Sequence, residues 1–348
     1  MRAVVFKGVG QIAVEDRPVP KIIQPTDAIL KVKCSAICGS DLHWYRGHMS
    51  LPTGFIPGHE FVGVVNEVGN DVKDIYVGDT VVASFSAQCG NCFYCKKRMT
   101  SCCPSNFLFG NSADSRSIDG GQAEYVRVPY ADATLVRAPT SIPENMLVLM
   151  GDIFPTGYFA ASRFLKHVPE QERRQTSVAV VGCGPVGICA IATALHWCDT
   201  VFAIDMVPER LAEAERLGAK PLLLTADPAA TIMAATGNRG VDVALEIVGT
   251  PDALYLCLDL VRPFGSISSV GVQTAPLKLD GPSIYGKNIT IAWGKCPVRG
   301  IFDEALDCLV KVQNKVAFLC SRTMKMEDSV EAYKLFNERK AHKIILTL

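Results

Sequence analysis

Two groups of cysteine and histidine in this chain have the residue types and the spacing to do chemistry. The first is Cys89-x2-Cys92-x2-Cys95-x7-Cys103. Four thiolates within one short loop suit a closed tetrahedral zinc site of the structural kind. Gly90 and Asn91 supply the tight turn that lets neighbouring sulfurs converge. Ferredoxin clusters also begin with two x2 gaps, and Pro104 even follows the last cysteine, but that pattern needs x3 before its fourth ligand. Cys102 lies beside Cys103 and competes with it for the fourth place. The second group is looser: Cys38-Gly39-Ser40-Asp41-Leu42-His43, then Gly58-His59-Glu60, then Gly151-Asp152. A thiolate, an imidazole and a carboxylate would leave one coordination position open, as catalytic zinc requires. Each of these residues also has a plain reading. Cys38 could be a core thiol, His59 a turn residue, and Asp152 a cap for the helix that begins near Phe154-Pro155-Thr156.

A third constellation is Gly182-x-Gly184-Pro185-Val186-Gly187. It follows the apolar run Ser177–Val181, opens a helix-like stretch to His196, and is followed by Val201–Ile204 and the acid Asp205. Strand, glycine turn, helix, strand and acid in that order form the dinucleotide fingerprint, in which the helix N-terminus faces a pyrophosphate. Asp205 can accept hydrogen bonds from both adenosine ribose hydroxyls. Its charge would repel a 2′-phosphate, which favours NAD over NADP.

These residues need elements to hold them, and the chain changes character near residue 150. Before that point, Ala28–Val32, Phe61–Val68, Gly78–Ala83 and Glu124–Val128 are short β-branched runs separated by Gly, Pro and Asp, which suggests a partly closed barrel. From residue 177, strands alternate with helices such as Pro208–Leu217, and Val241–Ile247, Ser266–Val270 and Ile289–Trp293 continue the series, as in a doubly wound parallel sheet. A last strand is expected over Lys343–Leu348. The chain has 348 residues, with 35 basic and 35 acidic residues and a net charge of zero. Two domains are expected at that length. The charge balance offers no footprint for nucleic acid. No apolar run reaches the roughly 20 residues of a membrane span, and the N-terminal residues lack a signal peptide's apolar stretch, so a cytoplasmic location is expected. In a reducing compartment the 14 cysteines divide into metal ligands and small core hydrophobes.

The sequence resembles the zinc-dependent alcohol dehydrogenases of the medium-chain dehydrogenase/reductase superfamily along nearly its whole length. The resemblance rests on residues 38–43, 58–60 and 89–103, then Thr156-Gly157-Tyr158, the 182–187 turn with Asp205, Val270-Gly271-Val272, and the closing Ile344-Ile345-Leu346-Thr347-Leu348. It implies an α/β fold. A GroES-like, mainly β catalytic domain would span residues 1–153 and 294–348, and a Rossmann NAD-binding domain residues 154–293. It implies a catalytic zinc on Cys38, His59 and Asp152, with Glu60 either beside the metal or an alternate ligand, and a structural zinc on Cys89, Cys92, Cys95 and Cys103. Ser40 and His43 would relay the proton, and Phe85 would wall the substrate pocket. Gly182, Gly184, Pro185, Val186, Gly187, Asp205, Arg210 and Val270 would bind NAD, and Lys343 would lie near the pyrophosphate. Many relatives have Cys where this chain has Asp152, and the use of Asp there looks similar to the formaldehyde-dehydrogenase-like subgroup. Asp41 would orient His59.

The implied activity is reversible NAD-linked oxidation of an alcohol to an aldehyde or ketone by hydride transfer. The substrate is a small molecule, and Phe85, Trp44, Tyr45 and Phe107 suggest an aromatic pocket. A redox-inactive NAD- or zinc-binding relative is one competing reading. An enoyl or quinone reductase is another, but such relatives generally lack both cysteine clusters. Related enzymes are dimers or tetramers, and the apolar run Ile289–Trp293 is the expected edge for such pairing.

Overall fold

The computed structural model describes residues 1–112, 116–273 and 275–348. The chain divides into two compact units. One comprises Met1–Asp152, Pro297–Leu306 and Ala317–Leu348; the other comprises Ile153–Cys296 and Asp307–Val316. The helix Val298–Val316 is therefore shared, its first half counted with the first unit and its second with the other.

The spine of the first unit is the strand Ala28–Ile37. It pairs antiparallel with Phe61–Val68, with Tyr125–Val128 and with Ile344–Thr347. Thr80–Ala83 and Leu135–Arg137 extend the sheet on one side and Thr323–Lys325 on the other. The strand runs five residues further than the β-branched run Ala28–Val32 suggests. Cys34, Ser35 and Ala36 have little strand preference of their own, but they lie between Phe61–Val68 and the chain's last strand, which supply hydrogen bonds on both sides. Two bulges, at Ile29/Leu30 and Val32/Cys34, let the strand bend as it approaches the Cys38 turn.

One core of this unit gathers Leu30, Phe61, Val81, Phe109, Val126 and Leu135. A second holds Phe6, Trp44, Tyr45, Phe55, Tyr333 and Phe336. Trp44 lies edge-on to Phe6 and Phe55, with ring centroids 4.8 and 5.4 Å apart. Trp44 and Tyr45 are thus core residues, not the substrate-pocket aromatics expected from sequence. They occupy the inward face of the helix Asp41–Tyr45 and anchor it. Phe107 likewise packs on the Phe61–Phe109 core, near Tyr130.

The second unit contains a six-stranded, all-parallel sheet. The strand order is Lys220–Leu223, Thr200–Asp205, Ser177–Val181, Val241–Glu246, Val261–Ser269 and Thr290–Trp293. This is the 3-2-1-4-5-6 order of the dinucleotide-binding fold. The continuous apolar runs read as strands because helices cover both faces: Ser177–Val181 is buried at every position. Among the described residues no helix is long and apolar enough to cross a membrane.

Candidate active site

The first cluster is built by the turn that leaves Ala28–Ile37. Cys38 follows that strand, and Ser40 occupies the N-cap of Asp41–Tyr45. The Asp41 side chain is almost completely buried and braces this turn. One carboxylate oxygen accepts the backbone N–H of Cys38 at 2.9 Å, and the other faces His59 Nδ1 at 3.5 Å. His59 arrives on a separate segment, after Gly58, whose φ of +95° and crowded surroundings exclude a side chain. A Cβ there would lie 2.5 Å from Gln122 Cγ. Asp152 comes from a third segment, at the end of the turn Val148–Gly151, which Phe85 holds by donating its N–H to Gly151 at 2.9 Å. Phe85 is therefore placed beside Asp152, and its side chain is buried.

At the centre, Cys38 Sγ lies 3.8 Å and His59 Nε2 lies 3.4 Å from the same Asp152 oxygen, and Ser40 Oγ lies 3.3 Å from His59 Nε2. A tetrahedral zinc with bonds of about 2.0–2.3 Å separates its ligand atoms by about 3.3–3.8 Å. Cys38, His59 and Glu60 also bring their ligand atoms within 4.8 Å of one another. Glu60 contributes a further sign. One of its oxygens is bound by the Lys343 ammonium, with both side chains fully enclosed, while Oε1 is buried with no hydrogen-bond partner among the described residues. A buried carboxylate oxygen with acceptor capacity to spare, beside a thiol and an imidazole, is a donor set that suits a cation. These residues fit zinc.

The electrostatics agree. Burial alone would lower the basicity of His59, but Asp41, followed by the hydrogen bonds its ring makes to Asp152 and Cys38, overrides it and holds the imidazole well above its ordinary value. The anionic field that retains this proton is the field that would retain a cation in its place. Burial also disfavours the Lys343 ammonium, yet contact with Glu60 holds it above the usual lysine range. Lys343 was expected near a pyrophosphate. Here it is an interior counter-ion, because its charged end is committed to Glu60 and closed off from solvent. His43, three residues after Ser40, is pushed below its ordinary value by burial and by His48 and Arg46, so it is neutral near pH 7 and able to accept a proton.

The second cluster brings together Cys89, Cys92, Cys95 and Cys103, all within 4.8 Å. The sulfurs of Cys89 and Cys103 are 3.6 Å apart, close to the edge of a tetrathiolate zinc site. Gly90, at φ +75°, makes the first turn. Backbone N–H groups of Cys89 and Cys95 donate to the sulfurs of Cys103 and Cys92 at 3.5 and 3.4 Å, bonds that favour the thiolate, while burial pushes the Cys95 and Cys103 thiols up. The Cys95 amide in particular brings the Cys92 thiol down to about 7. Cys103 is buried and Cys102 is exposed, so the backbone separates the two adjacent candidates. The other non-ligand cysteines are buried; Cys102 alone departs from the expectation of core packing. Arg98 anchors the lobe by donating to the Gly300 carbonyl at 2.6 Å and pairing with Glu304 at 3.3 Å.

In the second unit, Gly182 adopts φ +99° immediately after Val181. A Cβ on Gly187 would lie 1.9 Å from the Gly182 carbonyl, so the helix Pro185–Trp197 starts in close contact with the turn. Gly184 is its N-cap, and Pro185 and Val186 open the first turn. Asp205 ends the next strand, and it also ties the turn together. Its oxygens accept the N–H groups of Cys183 at 2.7 Å and Val207 at 2.9 Å, and Arg210 lies 3.7 Å away. Val270 leaves the strand Val261–Ser269 with its N–H bonded to the Glu246 carbonyl at 3.0 Å. One brace escaped the sequence reading. Gln122 accepts from the Tyr333 hydroxyl at 2.9 Å and donates to the Ala36 carbonyl at 3.4 Å, filling the space beside Gly58. Nothing local marks it, since its partners are distant in sequence.

Comparison with known proteins gives a consistent result. Residues 24–140 match the alcohol dehydrogenase GroES-like domain and residues 185–311 match the zinc-binding dehydrogenase family. The chain is 47% identical over 350 residues to zinc-type alcohol dehydrogenase B of Aspergillus flavus, covering 99% of this chain and 81% of that protein. It is 47% identical over 290 residues to the medium chain reductase/dehydrogenase ucsI of Acremonium, covering 82% of this chain and 98% of the relative. The structure superposes on alcohol dehydrogenase TADH from Thermus sp. ATN1 with a TM-score of 0.92 at 35% identity, covering 100% of this chain and 99% of that one.

Proposed function

The chain belongs to the zinc-type alcohol dehydrogenases of the medium-chain dehydrogenase/reductase superfamily, and from that premise we propose that it catalyses reversible, NAD-linked oxidation of an alcohol to an aldehyde or ketone. The observation that carries this reading is the convergence of Cys38, His59 and Asp152 beside the buried Oε1 of Glu60. In this reading those three side chains hold the catalytic zinc, and Glu60 is its neighbour or alternate ligand. Cys89, Cys92, Cys95 and Cys103 hold a second, structural zinc. Zinc bound at the first site supplies Lewis-acid polarisation of the substrate oxygen. NAD supplies the hydride acceptor.

The chain's own residues do the rest. Ser40, 3.3 Å from His59 Nε2, accepts the substrate hydroxyl's hydrogen bond and takes its proton as it releases its own hydroxyl proton toward His43. His43, neutral near pH 7, passes a proton to solvent. Asp41 keeps His59 in one ring orientation with Nδ1 toward the carboxylate, leaving Nε2 for the metal. Phe85 gives the site an apolar wall. The 182–187 turn takes the pyrophosphate, and Asp205 with Arg210 takes the adenosine ribose, disfavouring a 2′-phosphate. A carboxylate at position 152 supports placement near the formaldehyde-dehydrogenase-like subgroup. The chain is also 36% identical, over 71% of its length, to a protein named glutathione-independent formaldehyde dehydrogenase from Pseudomonas aeruginosa. We propose a homo-oligomer formed through the sheet edge at Thr290–Trp293.

The test is metal analysis together with a panel of alcohols and aldehydes assayed with NAD and NADP. Expected are two zinc ions per chain and NAD-dependent turnover that Ser40→Ala cuts without loss of zinc. A zinc-loaded protein that turns over nothing in the panel would refute the reading.

A further inference from the structure

Asp205 has a counterpart on the other half of the parallel sheet. Glu246 is fully buried and ends the strand Val241–Glu246, in register with Val181, the residue that leads into the glycine turn. One of its oxygens accepts the N–H groups of Val248 at 2.8 Å and Gly249 at 2.6 Å. The other accepts the Ser269 hydroxyl at 2.6 Å and the Gln273 side-chain amide at 3.1 Å. These four donors come from the loop after Val241–Glu246 and from the end of the strand Val261–Ser269 with the loop that follows it, all at the carboxyl edge of the sheet. The loops are also pressed together: a Cβ on Gly249 would lie 2.4 Å from the Val272 carbonyl, and one on Gly271 would lie 2.1 Å from Gly249 N. Glu246 thus clamps both loops into one body.

The clamp fixes a further group. A carboxylate only accepts, so the NH2 of Gln273 must face Glu246 and its oxygen must face away. That oxygen, Oε1, is buried and finds no donor among the described residues. A buried acceptor held in place with no donor among the described residues is open to a donor from outside the chain. Dinucleotides lie across the point where strand order reverses, here between Ser177–Val181 and Val241–Glu246. The Gly182–Gly187 turn and Asp205 serve the adenosine half, which leaves the nicotinamide half for the Glu246 side.

We propose that Gln273 Oε1 accepts a hydrogen bond from the carboxamide N–H of the nicotinamide ring, and that Glu246 is the positioning residue that aims it. This rests on the NAD reading above. The test is a fluorescence titration of the intact protein, without alcohol, using NADH and its 3-acetylpyridine analogue, whose acetyl group has no N–H to donate. The wild-type protein is expected to prefer NADH by about 5-fold, the worth of one ordinary hydrogen bond. Gln273→Ala should weaken NADH by that factor and leave the analogue unchanged, abolishing the preference. Glu246→Gln should abolish it too, because an amide at 246 no longer dictates which end of the Gln273 amide faces outward. If Gln273→Ala weakens both dinucleotides equally, or neither, a ribose hydroxyl or no cofactor group is the partner and the proposal fails. A wild-type protein that binds neither dinucleotide overturns the NAD reading itself, an outcome distinct from lost discrimination between two bound ones.

Discussion

Replacing Lys343 by Met removes the counter-ion of a carboxylate with no access to water. Two routes are open to the variant. It can keep Glu60 charged and unpaired, which costs about 3–5 kcal/mol for a broken buried pair. It can instead protonate Glu60 on folding, against an unfolded value of about 4.3, which at pH 7 costs about 3.7 kcal/mol. The second route caps the penalty and makes it depend on pH. In the variant the folded state binds a proton that the unfolded state releases above its pKa, so stability falls as pH rises. At pH 5 the same protonation costs only about 1 kcal/mol. For a unit of this size about 2–4 °C of melting temperature accompanies each kcal/mol. The expected loss, relative to the wild-type chain, is therefore about 7–15 °C at pH 7 and about 2–4 °C at pH 5. The assay is a pair of melting curves on chelator-treated protein at the two pH values. Adding Glu60→Gln to the variant should remove the pH dependence. Equal losses at pH 5 and pH 7 would refute the buried-pair reasoning, as would a loss under about 2 °C at pH 7.

The adjacent cysteines should behave oppositely: Cys103→Ser is expected to lower zinc content by one ion per chain and destabilise the lobe, whereas Cys102→Ser should leave both unchanged, as read by metal analysis and limited proteolysis. Asp41→Asn replaces the charged partner of His59 Nδ1 by a neutral amide that cannot accept from both His59 and the Cys38 N–H, and competition with a chelator should report zinc affinity at the first site weakened about 10- to 100-fold. The raised pKa of His59 gives a signed pH dependence. In zinc-free protein the protonated imidazole contributes stability that is fully present below about pH 6.5 and is lost as pH rises through the folded value. Zinc must displace that proton, so the stabilisation that zinc adds should grow with pH, and melting curves of chelated and loaded protein across pH would show it.

Much of the cofactor half is legible in the linear sequence because its interactions are local. The 182–187 turn is bounded by a strand and a helix that each announce themselves, and Asp205 reaches back only to Cys183. The cysteine lobe is similar: four cysteines and the glycine that turns between them lie within one loop, so spacing and geometry carry the same information. The open site differs in kind. Cys38, His59 and Asp152 sit on three segments, and only the sheet built on Ala28–Ile37, with the Phe85–Gly151 bond, brings their ligand atoms to one point. Tertiary packing alone decided that Trp44 and Tyr45 would be spent on anchoring a helix, because an aromatic side chain near a pocket-forming turn looks the same in sequence whether it faces ligand or core. It also decided that Lys343 would serve Glu60. A lysine's local sequence says it is charged, but which carboxylate neutralises it depends on where the last strand joins the sheet. Residue type and short-range spacing therefore determined what chemistry this chain can do. The pairing of distant strands determined which groups share one dehydrated space, where a buried charge must find its partner.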